Sequence, residues 1–352
     1  MKVAVFPELG AWSASTRYRV VQFLPLLADR LGTVDLFLPD DRPSRHPGRI
    51  GQARFFGAHA WRYGRRWQEV RRTLPRYDAV LVQRGFYPLG PGQIAGALRS
   101  YPGRVVLDLD DAVFEVKPSV AAMGGAARWL YGPQQARRTL ERADAVVVSS
   151  ALLGSSLPRQ DVPVHLLPTV PDPRAYAVAD HTRTAPRLVW AGTNGNLRYL
   201  DPLRPALSRL EADGVGSLTV VCSEPWSGPS TFRRWQAADE YAMFAEYAVG
   251  IMPLPDTPFT RGKAGFKLLQ YMAAGLPVVA SPVGVNRELV TRSGAGFLAE
   301  TEQEWHDRLA ELLADPALRA RLGDNGRRFV MGYADLEGQA DLLASLLSGS
   351  SD

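Results

Sequence analysis

The 352-residue chain holds one cysteine, Cys222, so neither a disulfide framework nor a cysteine-based zinc site can be built from it. Its five histidines (His46, His59, His165, His181, His306) never fall at HxxxH or HExxH spacing, which argues against a histidine metal cluster. No apolar run approaches the roughly 18 residues that span a bilayer. The opening MKVAVFPELG has too short an apolar stretch for a secretory leader. A soluble, cytoplasmic protein is the expectation. Lysine is scarce too, with only Lys2, Lys117, Lys263 and Lys267 among 41 basic residues. Such a preference for arginine is expected of a GC-rich bacterial genome.

What is present is globular in kind: 46% hydrophobic and 22% charged, at a length that suits two domains. The net charge of +5 is unevenly spread. Residues 1–180 carry a surplus of eight positive charges, and the remainder is mildly acidic. Short apolar runs at Lys2–Phe6, Thr33–Leu38, 77–84, 104–111, 143–150 and 163–171 read as buried strands. A helix capped by Ser15 or Thr16 is expected to continue to Leu31, and a Pro/Asp/Arg loop to follow the second strand. The pattern restarts at 187–193, 217–223, 247–255 and 276–282, and ends in leucine-spaced helices over 302–347. The fold class is α/β. Two doubly wound, Rossmann-like domains are expected, over 1–175 and 187–352, joined by a polar linker at 176–186. In such sheets ligands sit beyond the carboxyl ends of the strands, so the default site is a cleft between the domains.

The most informative stretch is RGKAGFKLLQYMAAGLPVVASPVGVN, 261–286. A helix with an apolar face starts near Phe266 and stops at Gly275. Gly262 and Gly265 allow close backbone approach at its amino end, where exposed N–H groups and the helix dipole suit a phosphate. Lys263 and Lys267, four apart, project from one face there. Half of all the lysines fall within these five residues. A compact ammonium that meets phosphate as a point charge accounts for the clustering; two solvated lysines on a turn would also fit the spacing.

The block Gly262 to Glu288 resembles the donor-binding segment of glycosyltransferase family 4, a retaining GT-B group within glycosyl transferases group 1. The matching positions are Gly265, Leu269, Met272, Ala273, Gly275, Pro277, Val278, Val279, Ala280, Gly284 and Glu288. WAGTNGNLRYLDPLRPAL, ADAVVVSSALLGSSL and the pattern formed by Asp315, Pro316, Arg319, Gly323 and Arg327 extend the resemblance over nearly the whole chain. It implies two Rossmann-like domains facing across a cleft, with the last helix crossing back to the first domain. It implies sugar transfer from a nucleoside diphosphate sugar to an acceptor hydroxyl with retained configuration, without metal or other cofactor. The donor set it implies is Gly192, Thr193, Asn194, Arg198, Lys263, Gly265, Phe266, Lys267, Gln270 and Glu288. Arg198 falls at the family's diphosphate-binding lysine. The chain departs from the family twice. The glutamate that contacts the transferred sugar falls at Gly262, and the one that holds the ribose falls at Gln270, which can still hydrogen-bond hydroxyls. A GT-B nucleotide-sugar epimerase and a non-catalytic two-lobed binding protein are the alternatives.

In the first half, VVLDLDD brings Asp108, Asp110 and Asp111 to a strand end. A DxD metal pair is one reading; by the resemblance, Asp110 and Asp111 stand where the family has His-Asp, without metal. Mutual repulsion leads us to expect one carboxyl to keep its proton near neutral pH and serve as an acid or base. Asp110 is placed near the reacting centre and Asp111 is structural; the catalytic set is then Asp110, Lys267 and Arg198. Arg17 and Arg84 either clamp phosphate or an acidic acceptor, or pair with these aspartates, and with Asp111 they form the acceptor-side set. Trp235, in 221–236, either stacks on the nucleotide base or belongs to the core. The segment 61–76 has six arginines and one glutamate interleaved with Trp61, Tyr63 and Trp67. Peripheral docking on an anionic membrane and a solvated helix face are both open readings. No recognised nucleic-acid module accompanies the charge. The donor's base and the acceptor (glycan, lipid-linked sugar or small molecule) are not legible.

Overall fold

The computed structural model describes residues 1–40, 49–90, 92–116, 133–182 and 185–350, with the side chains of 49–56 excepted. Part of the expected loop after the second strand (41–48), residues 183 and 184 of the expected linker, and Lys117 lie outside the described residues. In chain order the first half contains β1 (Lys2–Pro7), α1 (Ala14–Arg19), α2 (Leu24–Leu31), β2 (Thr33–Leu36), α3 (Arg49–Thr73), β3 (Ala79–Gln83), β4 (Arg104–Leu109), α4 (Gln134–Arg142), β5 (Ala145–Val148), α5 (Ala151–Ser155) and β6 (Val164–Leu166). The second half contains β7 (Arg187–Ala191), α6 (Arg204–Ala212), β8 (Ser217–Cys222), β9 (Thr231–Arg234), β10 (Val249–Met252), α7 (Pro258–Arg261), α8 (Phe266–Ala273), β11 (Val278–Ala280), α9 (Val285–Ser293), β12 (Gly296–Leu298), α10 (Glu302–Ala314), α11 (Pro316–Tyr333) and α12 (Leu336–Ser348).

All strand pairs are parallel, in the orders β2-β1-β3-β4-β5-β6 and β12-β11-β10-β7-β8-β9. Every residue of β3 and β5 is buried, as a sheet covered on both faces requires. The two faces follow the period of two. Phe6, Val80, Val82, Val105 and Leu107 pack with Val70 and Leu74 around α3, while Val3, Val5, Leu81, Val106 and Val147 pack on the other side with Phe23 and Leu27.

The chain divides into two compact units. One is Met1–Thr169 with Leu336–Asp352, the other Val170–Asp335. The expected limits of 1–175 and 187–352 therefore differ from the observed division at both ends. The physical reason at the far end is α12: Ala340, Leu343, Leu346 and Leu347 belong to the same core as Val3, Val5 and Leu81. Ion pairs from Arg30 to Glu337 and Asp341 fix its outer edge.

Three local differences from the sequence reading have plain causes. The first helix is not continuous. Pro25 lacks the N–H and crowds the carbonyl four residues back, so α1 ends, Val21–Phe23 form one 3₁₀ turn, and α2 begins with Pro25 in its first turn. Strand β9 was not expected; it is an edge strand with Thr231, Phe232 and Arg234 exposed, so it lacks the apolar run of a buried strand. The three-residue β12 was missed for its length. Among the described residues no helix is long and apolar enough to cross a membrane.

Candidate functional site

In the second unit the parallel strands send the segments after β7, β8, β10 and β11 to one edge of the sheet. Tyr199, Leu254 and Val283 pack together there and tie three of those segments to one another. The segment after β10 builds the glycine turn. Thr257 and Thr260 form a reciprocal capping box at the start of α7. Gly262 ends that short helix, and Gly265 precedes α8 with a φ of +64°. A side chain at 265 would be strained by that φ, and its Cβ would stand 2.7 Å from Leu289 Cδ1. Glycine there is thus a requirement of the backbone and of packing against α9.

Lys263 and Lys267 flank this turn, both half-buried. Lys263 Nζ lies 5.0 Å from the Phe259 ring centroid and Lys267 Nζ 5.9 Å from that of Phe266, so aromatic faces shield both ammonium groups. Lys267 Nζ donates to Gln270 Oε1 at 2.8 Å. Gln270 is fully buried, and its Nε2 donates to Tyr176 Oη at 2.8 Å and to Glu240 Oε1 at 3.3 Å. Both ends of the side chain are thus engaged within the unit, which is not the open hydroxyl reader that the resemblance implies. Asn286 was not singled out from the sequence. It is buried, its Nδ2 donates to Ser281 O, and its Oδ1 has no partner among the described residues. That oxygen lies 3.5 Å from where a Gly265 Cβ would stand.

The other expected donor residues are more dispersed. Gly192 is half-buried and its N–H donates to Val221 O at 3.1 Å. Thr193 is exposed at the start of a 3₁₀ segment, Asn194–Leu203. Asn194 Oδ1 accepts from Cys222 Sγ at 3.1 Å and from Ser223 Oγ, an arrangement that anchors its carbonyl end to the end of β8. Arg198 is exposed over the Tyr199 ring. Glu288 is exposed on α9 and pairs with Arg292 at 2.7 Å. Trp235 is half-buried just past β9, its backbone N–H donating to Cys222 O.

In the first unit the acidic strand end is a set of ion pairs. Arg19, which the sequence reading passed over, is 1% exposed and grips Asp108 through Nε at 2.9 and 2.8 Å and also through a terminal nitrogen. Burial works against the Arg19 charge, but the Asp108 carboxylate outweighs it and holds the arginine above its ordinary pKa. Arg84 Nε donates to Asp110 at 2.5 Å and its terminal nitrogen to Asp111 at 3.3 Å. Burial on its own would raise the Asp110 pKa. The Arg84 charge and hydrogen bond, helped by Arg19 and Ser15, reverse that and leave it lowered. Asp110 is thus held ionised because the two arginines face it, whereas burial, with the Asp110 charge adding to it, raises the pKa of Asp108, which among the three moves in the direction that repulsion predicts. Arg84 has a φ of +62°, in the left-handed region. Arg17 donates to the carbonyls of Ala11 and Trp12, so it orders the loop after β1. Among the described residues no group of three His, Cys, Asp or Glu side chains could hold a metal ion.

Residues 257–329 match the model of one family. That family is the glycosyl transferases group 1. The match contains the glycine turn, both lysines, Gln270 and Glu288, and leaves out Arg198 and the first unit. No protein with a curated description matches the sequence. Solved structures are similar over the whole chain at low identity. Anabaena Alr3699/HepE, in complex with UDP and glucose, shares 14% identity over 99% of this chain and 100% of its own, with a TM-score of 0.67. An alpha-glucosyltransferase in complex with UDP and DNA shares 13% over 97% and 99%, with a TM-score of 0.66. An alpha,alpha-trehalose-phosphate synthase (UDP-forming) from Burkholderia vietnamiensis shares 12% over 99% and 100%, at 0.60. The fold is the two-domain α/β fold of GT-B glycosyltransferases. With the matched segment, it marks the chain as a glycosyltransferase.

Proposed function

We propose that this chain, as a retaining enzyme of family 4, moves a sugar from a nucleoside diphosphate sugar to an acceptor hydroxyl and uses no metal or other cofactor. The observation that carries the reading is the glycine turn before α8 with Lys263 and Lys267 beside it, inside the segment that matches the group 1 family. Transfer breaks the bond from the anomeric carbon to the phosphate oxygen and makes one to the acceptor oxygen, whose proton passes to the departing diphosphate. Negative charge grows on the departing diphosphate. A helix amino end and two ammonium groups stabilise that growing charge without a metal. Arg198 is assigned to the same diphosphate, with Gly192, Thr193 and Asn194 supplying the turn beside it. In the first unit, Asp110 offers a fixed negative charge rather than a proton. Arg84 and Asp111 are assigned to the acceptor with it.

UDP is the first base to test, since three similar proteins were solved with it or are described as forming it. The test is a thermal-shift screen against UDP, GDP, ADP and dTDP sugars, followed by donor hydrolysis and transfer assays with and without EDTA. Stabilisation by one nucleotide class and turnover that survives EDTA are expected. Lys267→Ala is expected to lower turnover at least tenfold, about 1.4 kcal/mol of transition-state stabilisation; unchanged turnover removes the assignment. Binding without hydrolysis or transfer supports a binding protein, and isomerised donor supports an epimerase.

We also propose a lipid partner for α3. Trp61 and Trp67 are 59% and 40% exposed, with Arg65 and Arg71 stacked over them at 4.8 and 5.4 Å. Arg72 and Arg76 are exposed nearby. Arg66 faces inward, donating to Phe86 O and Glu69, and Arg62 pairs with Asp40. Four outward arginines are thus available to an anionic leaflet, at roughly 1 kcal/mol each. Flotation with phosphatidylglycerol vesicles, and none with neutral vesicles, is expected. Equal binding after Arg65, Arg71, Arg72 and Arg76 are changed to glutamate would sink the idea.

A further inference from the structure

We propose that Gln270, Glu240 and Tyr176 are positioning residues that hold the Lys267 ammonium in place; this rests on the donor-site reading above. A lysine is a point charge on a flexible four-carbon stem, so its usefulness to a leaving diphosphate depends on what restricts it. Gln270 stands one helical turn beyond Lys267 on α8, within reach of its Nζ. An amide can present either end, and here the surroundings choose. Its far end meets the Glu240 carboxylate and the Tyr176 hydroxyl, and its near end meets the ammonium. A flipped amide would set NH₂ against a cation and a carbonyl against a carboxylate. The side-chain dipole is thus aligned by a charge at each end.

Glu240 and Tyr176 are 2% and 3% exposed, and Gln270 is fully buried, so these contacts are made where water cannot replace them. Tyr176 is itself fixed, edge-on to Tyr241 at 5.1 Å and stacked on Phe244 at 6.4 Å. Two segments far away in sequence therefore converge on the one amide that meets the lysine. The charge count explains why position 270 carries an amide. A carboxylate there would lose both donors and stand beside Glu240, a like-charge pair in a buried setting.

The test is read in two ways. The four lysines make a simple NMR spectrum when lysine is ¹³C-labelled at Cε, and Lys267→Arg identifies the Lys267 resonance. Calorimetry measures UDP affinity, and kinetics separate donor KM from kcat. Tyr176→Phe removes one hydroxyl and keeps the ring. Glu240→Gln removes the far charge. Both are expected to shift the Lys267 resonance toward that of an exposed lysine and to weaken UDP about fivefold through donor KM. Gln270→Glu alone is expected to lose more, and Gln270→Glu with Glu240→Gln to recover most of that loss. An unmoved Lys267 resonance in Tyr176→Phe and Glu240→Gln overturns the proposal, as does a double variant no better than Gln270→Glu. A wild type that binds none of the nucleotides tested sinks the donor-site reading instead, and the lysine resonances still decide the positioning.

Discussion

Arg84 shows how one residue can set the charge state of its neighbours. It holds a left-handed backbone conformation, costly for a residue with a side chain, and its guanidinium joins Asp110 and Asp111. Asp110 has a lowered folded pKa, so the stability it contributes is complete above the ordinary value of about 3.9 and lost as pH falls through the folded value. Arg84→Met leaves the carboxylate buried with less compensation, and burial then pushes its pKa above the ordinary value. The variant should bind extra proton in the folded state, so its stability should fall as pH rises from about 4 to 7. Urea unfolding at both ends of that range checks this: the gap to wild type should widen with pH, reaching about 3–5 kcal/mol. A gap constant with pH would refute it. The residues of this cluster were legible as candidates because aspartates at a strand end are visible in one line of sequence. Arg19 and Glu240 were not, because their partners stand 89 and 30 residues away.

At the scale of elements, the central strands could be read directly and the marginal ones could not. In β4, Val105 and Leu107 are buried on one face and Val106 on the other, because the sheet is covered on both. TFRR at a sheet edge shows no apolar run, and GFL is too short to carry a pattern. The glycine turn was readable because its signals are local: two glycines, two scarce lysines and a helix that stops at Gly275. α12 was readable as a leucine-spaced helix, and its return to the first domain, implied by the family resemblance, is borne out by the core that its leucines enter. Leu343, Leu346 and Leu347 are buried there. At roughly 1.5–3 kcal/mol for each fully buried leucine, their loss approaches the whole stability of a typical domain. Truncation after Asp335 should therefore abolish hydrogen-exchange protection of β1, β3 and β4 while β7 and β10 stay protected. Retained protection in the first sheet would contradict the assignment.

Over the whole molecule, the α/β class and the doubling of the sheet followed from the restart of strand patterns at residue 187. The limits of the units did not, because contacts rather than composition define them. The matched segment spans only part of the second unit, while similarity of fold extends along the chain at 14% identity or less in the three structures compared above. At Gln270, one of the two positions where the sequence departs from the pattern it resembles, the structure puts an amide between a carboxylate and a lysine.

The division at 169/170 and 335/336 also orders events during synthesis. The second unit is one uninterrupted stretch, so all of its strands have been made before α12 appears. The first unit is interrupted, and its sheet lacks one cover until residues 336–348 leave the ribosome. At about 5–20 residues per second, a nascent first unit waits on the order of ten seconds or more with Val3, Val5 and Leu81 incompletely covered. The half that begins first is thus the half that closes last, and the aspartate and arginine cluster is the later of the two candidate sites to be framed by a finished core.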